Sequence, residues 1–315
     1  MNIVFAGTPD FAVPSLTKLS EQDEINIKAV VTQPDRKRGR GKKLQHTPVK
    51  KESLRRNIQV LQPKNINSDD IINELNKMDL DLIVVVAYGQ ILSKELLELP
   101  EKGCINLHAS LLPEYRGSSP IQQAILDGKD KTGVTTMFME EGLDTGDIIY
   151  QQEVDIKASY NAGDLHDKLA KTGAKLLTET VLDLQENDVP RIPQDESKSS
   201  YTGQLSKKDG LIDWTKSSQD IYYLVKAMNP WPGSFTYLNG KLLKIFEVEI
   251  IDKNTDLKPG SVVNADPDFG FLVQTGDGVI KINRLQLAGK KRMSSSDFLR
   301  GYDIEEGIQL DSEKE

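Results

Sequence analysis

An asparagine and a histidine lie two positions apart in the stretch INLHASLLPEYRG, residues 105–117. Asn106 and His108 belong to an extended apolar segment, so their side chains leave the same face of a strand. The turn GLDTGD, residues 142–147, adds an acidic side chain, Asp144, before another apolar run. An amide can donate to an oxyanion, an imidazole can take a proton near neutrality, and a carboxylate can orient that imidazole. Together the three predict acyl transfer to an amine, which needs no covalent nucleophile.

Other interpretations of these residues stay open. An isolated Asn-x-His pair is often no more than a half-buried histidine that bonds to backbone. Cys104 shares the face of Asn106 and His108, so a thiol mechanism has to be considered, but its depth in the apolar strand favours core packing. His46 and His166 have no cysteine or carboxylate arrangement that resembles a metal site, so no metal is expected.

Strand-like and helix-like segments alternate over the first half of the chain. Short apolar runs lie at residues 2–6, 25–32, 81–87, 104–108 and 133–140. Helical patterns follow Thr8, Thr47, Ser68 and Ser119, which are the expected N-caps. This alternation predicts an α/β domain with a doubly wound, mostly parallel sheet. Ligands bind beyond the carboxyl ends of such strands, and Asn106 and His108 fall at one of these ends.

The pattern changes in the second half of the chain. A long helix is predicted from about residue 163 to 187, followed by the polar, proline-containing stretch DVPRIPQDESKSS. Short strands then recur with turn signals between them, which predicts a small β-barrel. We therefore divide the chain into a domain at 1–189, a linker at 190–206 and a second domain at 207–315. The acidic residues 302–315 are expected to form a solvated tail.

Composition narrows the possible classes. With 315 residues, 37% hydrophobic and 28% charged, the chain fits a two-domain globular protein without a membrane segment. Its one cysteine excludes an intrachain disulfide framework and favours the cytoplasm. The net charge of −8 argues against binding nucleic acid with the whole surface. The run RKRGRGKK, residues 36–43, has six basic residues in eight, and it is either a solvated loop or a local phosphate or nucleic-acid contact.

Taken together, several of these stretches resemble a known family. FAGTPDFA, TQPDRKRGRGKKL, VVAYGQILS, GCINLHASLLPEYRGSSPIQQAI, GLDTGDI, NPWPG and AGKKRMS are similar to motifs of the 10-formyltetrahydrofolate-dependent formyltransferases. The basic run and the C-terminal half resemble the methionyl-tRNA formyltransferases within that family. The resemblance implies a Rossmann-like catalytic domain followed by an OB-like barrel. It also implies formyl transfer from 10-formyltetrahydrofolate to the α-amine of initiator methionyl-tRNA in the cytoplasm, by a protein expected to be a monomer.

The resemblance also implies residue roles. Asn106 would hold the formyl oxygen as it becomes an oxyanion, His108 would take the proton from the amine, and Asp144 would orient His108. The folate pocket would be formed by Ser110, Leu111, Leu112, Pro113, Tyr88 and Gly89. The tRNA contacts would be Arg36, Arg38, Arg40, Lys42 and Lys43. Two alternatives remain: a folate-dependent formyltransferase that acts on a small amine, such as an aminosugar nucleotide or amino-ribonucleotide, and a noncatalytic RNA-binding protein.

Overall fold

The computed structural model describes residues 1–38, 43–186, 189–253 and 255–311, with the backbone only of 37, 38 and 43. Its contacts divide the chain into two units. The first unit comprises Met1–Pro120, Lys131–Asp155 and His166–Thr202. The second comprises Ile121–Asp130, Ile156–Leu165 and Gly203–Glu315. Two short segments that lie between parts of the first unit along the chain therefore belong with the C-terminal residues.

Most strands of the described ranges belong to two large sheets, and helices lie between many of them along the chain. The strands are β1 (Asn2–Gly7), β2 (Asn26–Val31), β3 (Arg36–Arg38), β4 (Lys43–Gln45), β5 (Val60–Leu61), β6 (Leu82–Val86), β7 (Cys104–His108), β8 (Arg116–Gly117), β9 (Lys131–Phe138), β10 (Ile148–Asp155), β11 (Tyr201–Thr202), β12 (Ser234–Leu238), β13 (Lys241–Ile251), β14 (Val262–Asp266), β15 (Gly270–Gln274), β16 (Val279–Leu287) and β17 (Met293–Ser294). The α-helices are α1 (Val13–Leu19), α2 (Pro48–Arg55), α3 (Asp69–Asn76), α4 (Lys94–Glu98), α5 (Pro120–Leu126), α6 (Ala162–Glu186), α7 (Ser218–Ala227) and α8 (Ser295–Leu299). Short 3₁₀ turns lie at Asp10–Ala12, Glu196–Lys198 and Lys207–Gly210.

The first unit is built on one mixed sheet in the order β10-β9-β7-β6-β1-β2-β5. The strands from β7 to β5 pair in parallel, whereas β9 and β10 add an antiparallel edge. Strands β6 and β7 are buried along their whole length, as expected for strands covered on both faces. The predicted doubly wound, mostly parallel and Rossmann-like domain is confirmed.

Of the predicted N-caps, Thr47 is confirmed and Thr8 is not. The Thr47 hydroxyl accepts a hydrogen bond from the Lys50 amide at 3.1 Å, and α2 follows with Pro48 at its first position, as expected. The prediction for Thr8 is wrong, because its hydroxyl donates to the carbonyl of Tyr88 at 2.9 Å. The helical turn begins only at Asp10, since Pro9 is still extended. Thr8 thus ties the end of β1 to the residues that follow β6.

The second unit contains the antiparallel sheet β12-β13-β16-β15-β14, with β17 paired to β16. The C-terminal segment completes it, because Gln309 bridges Ser261 beside β14 and Asp311 bridges Tyr237 on β12. The sheet therefore closes into a barrel. Its core holds Ile304 and Leu310 from this segment, both of them buried. The expectation of a solvated tail is wrong as far as residue 311, because apolar side chains between the acidic ones fill the barrel.

None of the helices in the described ranges has the length and apolar character that crossing a bilayer requires.

Candidate active site

Three polar side chains meet at the carboxyl end of β7. Asn106 and His108 are buried there, with 8% and 6% of their surface exposed. Asp144 lies in the loop between β9 and β10 with a left-handed backbone, at φ +56°. The Asn106 Nδ2 atom donates to Asp144 Oδ1 at 3.4 Å, and His108 Nδ1 lies 3.6 Å from Asp144 Oδ2. One carboxylate thus faces both an amide donor and an imidazole.

The second ring nitrogen of His108 bonds to the backbone. Its Nε2 atom lies 2.9 Å from the carbonyl oxygen of Tyr115. A carbonyl oxygen only accepts, so Nε2 must carry the hydrogen of the neutral ring. The lone pair of neutral His108 is therefore on Nδ1, the nitrogen that faces Asp144. The same ring protonated on both nitrogens would have an acceptor on each side.

The backbone around the site holds the Asp144 carboxylate from the other side. The amide of Gly117 donates to Asp144 Oδ2 at 2.8 Å. Gly117 has φ +102°, and a Cβ atom at this position would collide with the Thr202 carbonyl. Tyr115 also lies in the left-handed region, at φ +60°. Unusual backbone conformations are thus concentrated where the loop contacts His108 and Asp144, as is common at functional sites.

The loop that carries the four expected pocket residues, Ser110–Pro113, is fixed by β9 and β10. The Ser110 hydroxyl donates to Glu114 O at 2.6 Å, and Thr135 Oγ1 donates to Ser110 O at 2.7 Å. Leu112 packs in a small apolar cluster with Met137 and Ile148. Ser110 and Leu112 are thus buried by the protein's own contacts, whereas Leu111 and Pro113 stay half-buried.

Tyr88 and Gly89, the other two expected pocket residues, follow β6. The Tyr88 ring is buried in the core cluster with Leu92, Leu96 and Cys104, where burial raises the pKa of the phenol to about 12. The Tyr88 ring therefore packs in the core, and its contact with the folate stays a prediction. Gly89 has a backbone conformation that favours glycine, at φ +93°.

The basic run 36–43 is described in part. Arg36 is exposed on β3, which pairs with β4, while only the backbone of Arg38 and Lys43 is described. Arg40 and Lys42 lie outside the described residues. The base of the hairpin is anchored by Asp35, whose Oδ2 atom lies 2.7 Å from both His46 Nδ1 and Lys50 Nζ. Burial alone would raise the pKa of Asp35. The hydrogen bonds from Lys50, Gln62 and His46 outweigh burial and hold this pKa well below its usual range.

Cys104 belongs to the core. It is 2% exposed, its Sγ atom donates to Leu96 O at 3.5 Å, and burial raises the pKa of the thiol to about 12. A thiol nucleophile acts as the thiolate, which is scarce at neutral pH under these conditions. The core-packing interpretation therefore explains Cys104. Among the residues that the structure describes, no group of His, Cys, Asp and Glu side chains could hold a metal ion.

Residues 194–202 make contacts with the site loop that the sequence does not predict. The Ser200 hydroxyl accepts from the Tyr115 amide at 2.8 Å, and the Ser200 carbonyl accepts from the Arg116 amide at 2.8 Å. Strand β11 then pairs in parallel with β8. This segment therefore fixes the conformation of the residue that bonds to His108. Nothing in its polar, aperiodic sequence reveals partners so distant along the chain.

Comparison with known proteins adds to this geometry. A family model described as formyl transferase matches residues 1–181, and one described as formyl transferase, C-terminal domain, matches residues 204–303. A methionyl-tRNA formyltransferase of Halothermothrix orenii is 52% identical, with 98% of this chain and 100% of the relative covered. One of Clostridium tetani is 48% identical, with 99% and 100% covered.

Solved structures agree on the fold. An N-formyltransferase of Helicobacter canadensis in complex with folinic acid and dTDP-3-aminofucose matches with a TM-score of 0.66 at 21% identity, covering 89% of this chain and 98% of that one. At this identity the likeness shows the fold alone. The family models and the full-length relatives go further, and they show that the chain belongs to the methionyl-tRNA formyltransferase family.

Proposed function

We propose that this protein transfers the formyl group of 10-formyltetrahydrofolate to the α-amino group of methionine on initiator tRNA. The product would be N-formylmethionyl-tRNA, which is used to initiate translation. The observation that supports formyl transfer is that Asn106 and His108 both face the carboxylate of Asp144. Family membership supports the tRNA acceptor, and the complex of the Helicobacter canadensis enzyme with folinic acid supports a folate donor.

Asn106 is the proposed oxyanion donor. Its Nδ2 atom has two hydrogens, and the one that points to Asp144 leaves the other available for the formyl oxygen. When the amine attacks the formyl carbon, that oxygen gains negative charge. A neutral, buried donor stabilises this charge more than it stabilises the uncharged carbonyl of the ground state. The burial of Asn106 keeps water from competing for the same position.

His108 is the proposed proton acceptor. An α-amino group has a reference pKa of about 7.7–8.0, so a usable fraction is neutral near pH 7 before the reaction begins. After attack the nitrogen becomes acidic and its proton passes to Nδ1 of His108, the atom that carries the lone pair. The bond between the formyl carbon and the folate nitrogen then breaks, and His108 can return the proton to that nitrogen.

Asp144 is the proposed counter-charge. Its Oδ2 atom faces His108 Nδ1, so the imidazolium that forms during the reaction meets a carboxylate. The Gly117 amide holds this oxygen in place. We further propose that Leu111 and Pro113 contact the folate and that Arg36, Arg38, Arg40, Lys42 and Lys43 contact the tRNA. The domain boundaries, the monomeric state and the cytoplasmic location stay predictions.

The proposal is tested by incubating the full chain with 10-formyltetrahydrofolate and a choice of acceptors. We expect N-formylmethionine on initiator methionyl-tRNA and no formylation of a nucleotide-linked aminosugar or an amino-ribonucleotide. Formylation of a small amine in preference to the tRNA would favour that alternative. Tight tRNA binding without turnover would favour the noncatalytic one. Removing residues 207–315 is a poorer test, because residues 121–130 and 156–165 belong to the same unit.

A further inference from the structure

Arg116 is a buried cation that directly follows Tyr115, the residue that bonds to His108. Its side chain is fully buried. The guanidinium donates to Gln194 Oε1 from Nε at 3.1 Å and from Nη2 at 2.9 Å. It also donates to both carboxylate oxygens of Glu196, at 3.0 and 2.6 Å, and to the hydroxyl of Tyr201 at 2.9 Å. Every donor of the guanidinium is thus used, which fixes its plane.

Gln194 connects this cation to the loop that carries Asp144. Its Nε2 atom donates to the carbonyl oxygens of Asp144 at 2.9 Å and Gly146 at 2.8 Å. The orientation of the amide follows from its partners, because the guanidinium only donates and the two carbonyls only accept. The Gln194 side chain therefore holds two carbonyls of the loop in which Asp144 itself has a left-handed backbone.

We propose that Gln194 is a positioning residue that sets the Asp144 carboxylate opposite His108 and that is itself oriented by Arg116. The inference rests on the proposed function, because it gives Gln194 a role only if Asp144 supports the reaction. Without the two hydrogen bonds, the loop can relax from the conformation that brings Oδ2 to 3.6 Å from Nδ1. A misplacement on the order of 1 Å at a catalytic group can lower a rate by about 10².

A second interpretation is that Gln194 only attaches residues 194–202 to Arg116. The substitution Gln194→Glu separates the two roles. A glutamate has the same length and accepts from Arg116 at least as well as glutamine, through charge-assisted hydrogen bonds. It has no donor for the carbonyls of Asp144 and Gly146, and its negative charge repels them. The variant therefore keeps the hydrogen bonds with Arg116 and loses those that hold the Asp144 loop.

The experiment measures steady-state formylation of initiator methionyl-tRNA by the full-length chain. For Gln194→Glu we expect kcat to fall about tenfold or more, with the KM for both substrates within about twofold and a melting temperature lowered by no more than about 4 °C. Lys198→Gln is the matched control, because Lys198 is exposed in the same segment and pairs with Asp195. The control should keep wild-type kinetics. If Gln194→Glu does not fold, Gln194→Met is compared in the wild-type and Asp144→Asn backgrounds. It removes both sets of hydrogen bonds, so only a loss of kcat that disappears in the Asp144→Asn background supports positioning.

A double variant shows whether Gln194 acts through Asp144. If it does, Gln194→Glu combined with Asp144→Asn is no slower than Asp144→Asn alone, because the positioned group is already lost. The inference would be overturned if the kcat losses of the two single variants multiply in the double variant. A kcat for Gln194→Glu within twofold of wild type would also overturn it. Full activity of Asp144→Asn alone would instead defeat the catalytic assignment of the proposed function. The two failures are thus distinguishable.

Discussion

His108 and Asp144 face each other through Nδ1 and Oδ2 at 3.6 Å, although one comes from β7 and the other from the loop after β9. The opposite side of the ring is bonded to the Tyr115 carbonyl. Both nitrogens of an imidazolium would thus find an acceptor without any movement of the chain. In the proposed mechanism, a His108 ring that takes the proton from the amine would therefore find both acceptors already in place.

Removing either polar group of β7 should lower the rate of the chemical step. For Asn106→Ala and His108→Ala we expect formyl transfer to fall by about 10² or more, because each interaction is strongest in the transition state. Rapid-quench measurement of formylmethionyl-tRNA gives the rate, and titration with the folate gives its affinity. Binding should stay within about threefold of wild type. Wild-type rates in folded variants would remove both residues from the mechanism.

Replacing the core cysteine should leave catalysis intact. Because the thiol of Cys104 is buried and its pKa is about 12, we expect Cys104→Ala to keep kcat within about twofold and to lose about 1 kcal/mol of stability. A formylation assay and urea denaturation measure the two effects. The thiol should also react with an aromatic disulfide reagent only after unfolding. A loss of activity as large as that of His108→Ala would instead indicate a covalent thiol mechanism.

Neutralising the basic run should affect the tRNA and not the folate. For Arg40→Ala we expect weaker use of methionyl-tRNA and a salt slope of log KM lower by about 1, as when one phosphate contact is lost. Kinetics at several salt concentrations measure this, with Lys94→Ala as a control because Lys94 is exposed on α4. Unchanged tRNA kinetics would mean that Arg40 does not contact the tRNA.

The closing segment of the barrel should be needed for stability. Leu310 is 1% exposed, so Leu310→Ala should cost about 2–5 kcal/mol, the range for a leucine removed from a packed core. Urea denaturation followed by tryptophan fluorescence measures this, since Trp214 is buried in the same core cluster. Glu306→Ala, an exposed change in the same segment, should stay within about 0.5 kcal/mol of wild type. Equal stability of both variants would contradict the pairing of residues 309–311.

The predictable part of this protein follows from local patterns. Strand alternation placed Asn106 and His108 on one face of β7, and the order of strands and helices predicted the parallel sheet. Asp144 could be added because it lies in a short glycine-containing turn next to an apolar strand. In each case a short stretch of sequence contains the whole signal, so periodicity and turn chemistry were sufficient.

The rest depends on single residues that pair across long stretches of chain. Gln194 and Ser200 lie in a polar segment with the composition of a spacer, and only the folded chain brings them to the loop at 113–117. Ile304 and Leu310 were hidden by the acidic residues between them, although these face solvent on the outside of the barrel. The contact of Tyr88 with the folate was implied by the family resemblance alone, and no local pattern shows that its ring is buried in the core cluster.

Because every N–H group of the Arg116 guanidinium donates a hydrogen bond, the residues around it can vary little during evolution. A lysine at this position would carry one ammonium group and could not serve Gln194, Glu196 and Tyr201 in the same plane. An amide at 194 without its guanidinium partner would still donate to the two loop carbonyls, but its oxygen would be left without a donor. Positions 116 and 194 are thus expected to covary among relatives, so that either both partners are kept or both are replaced together.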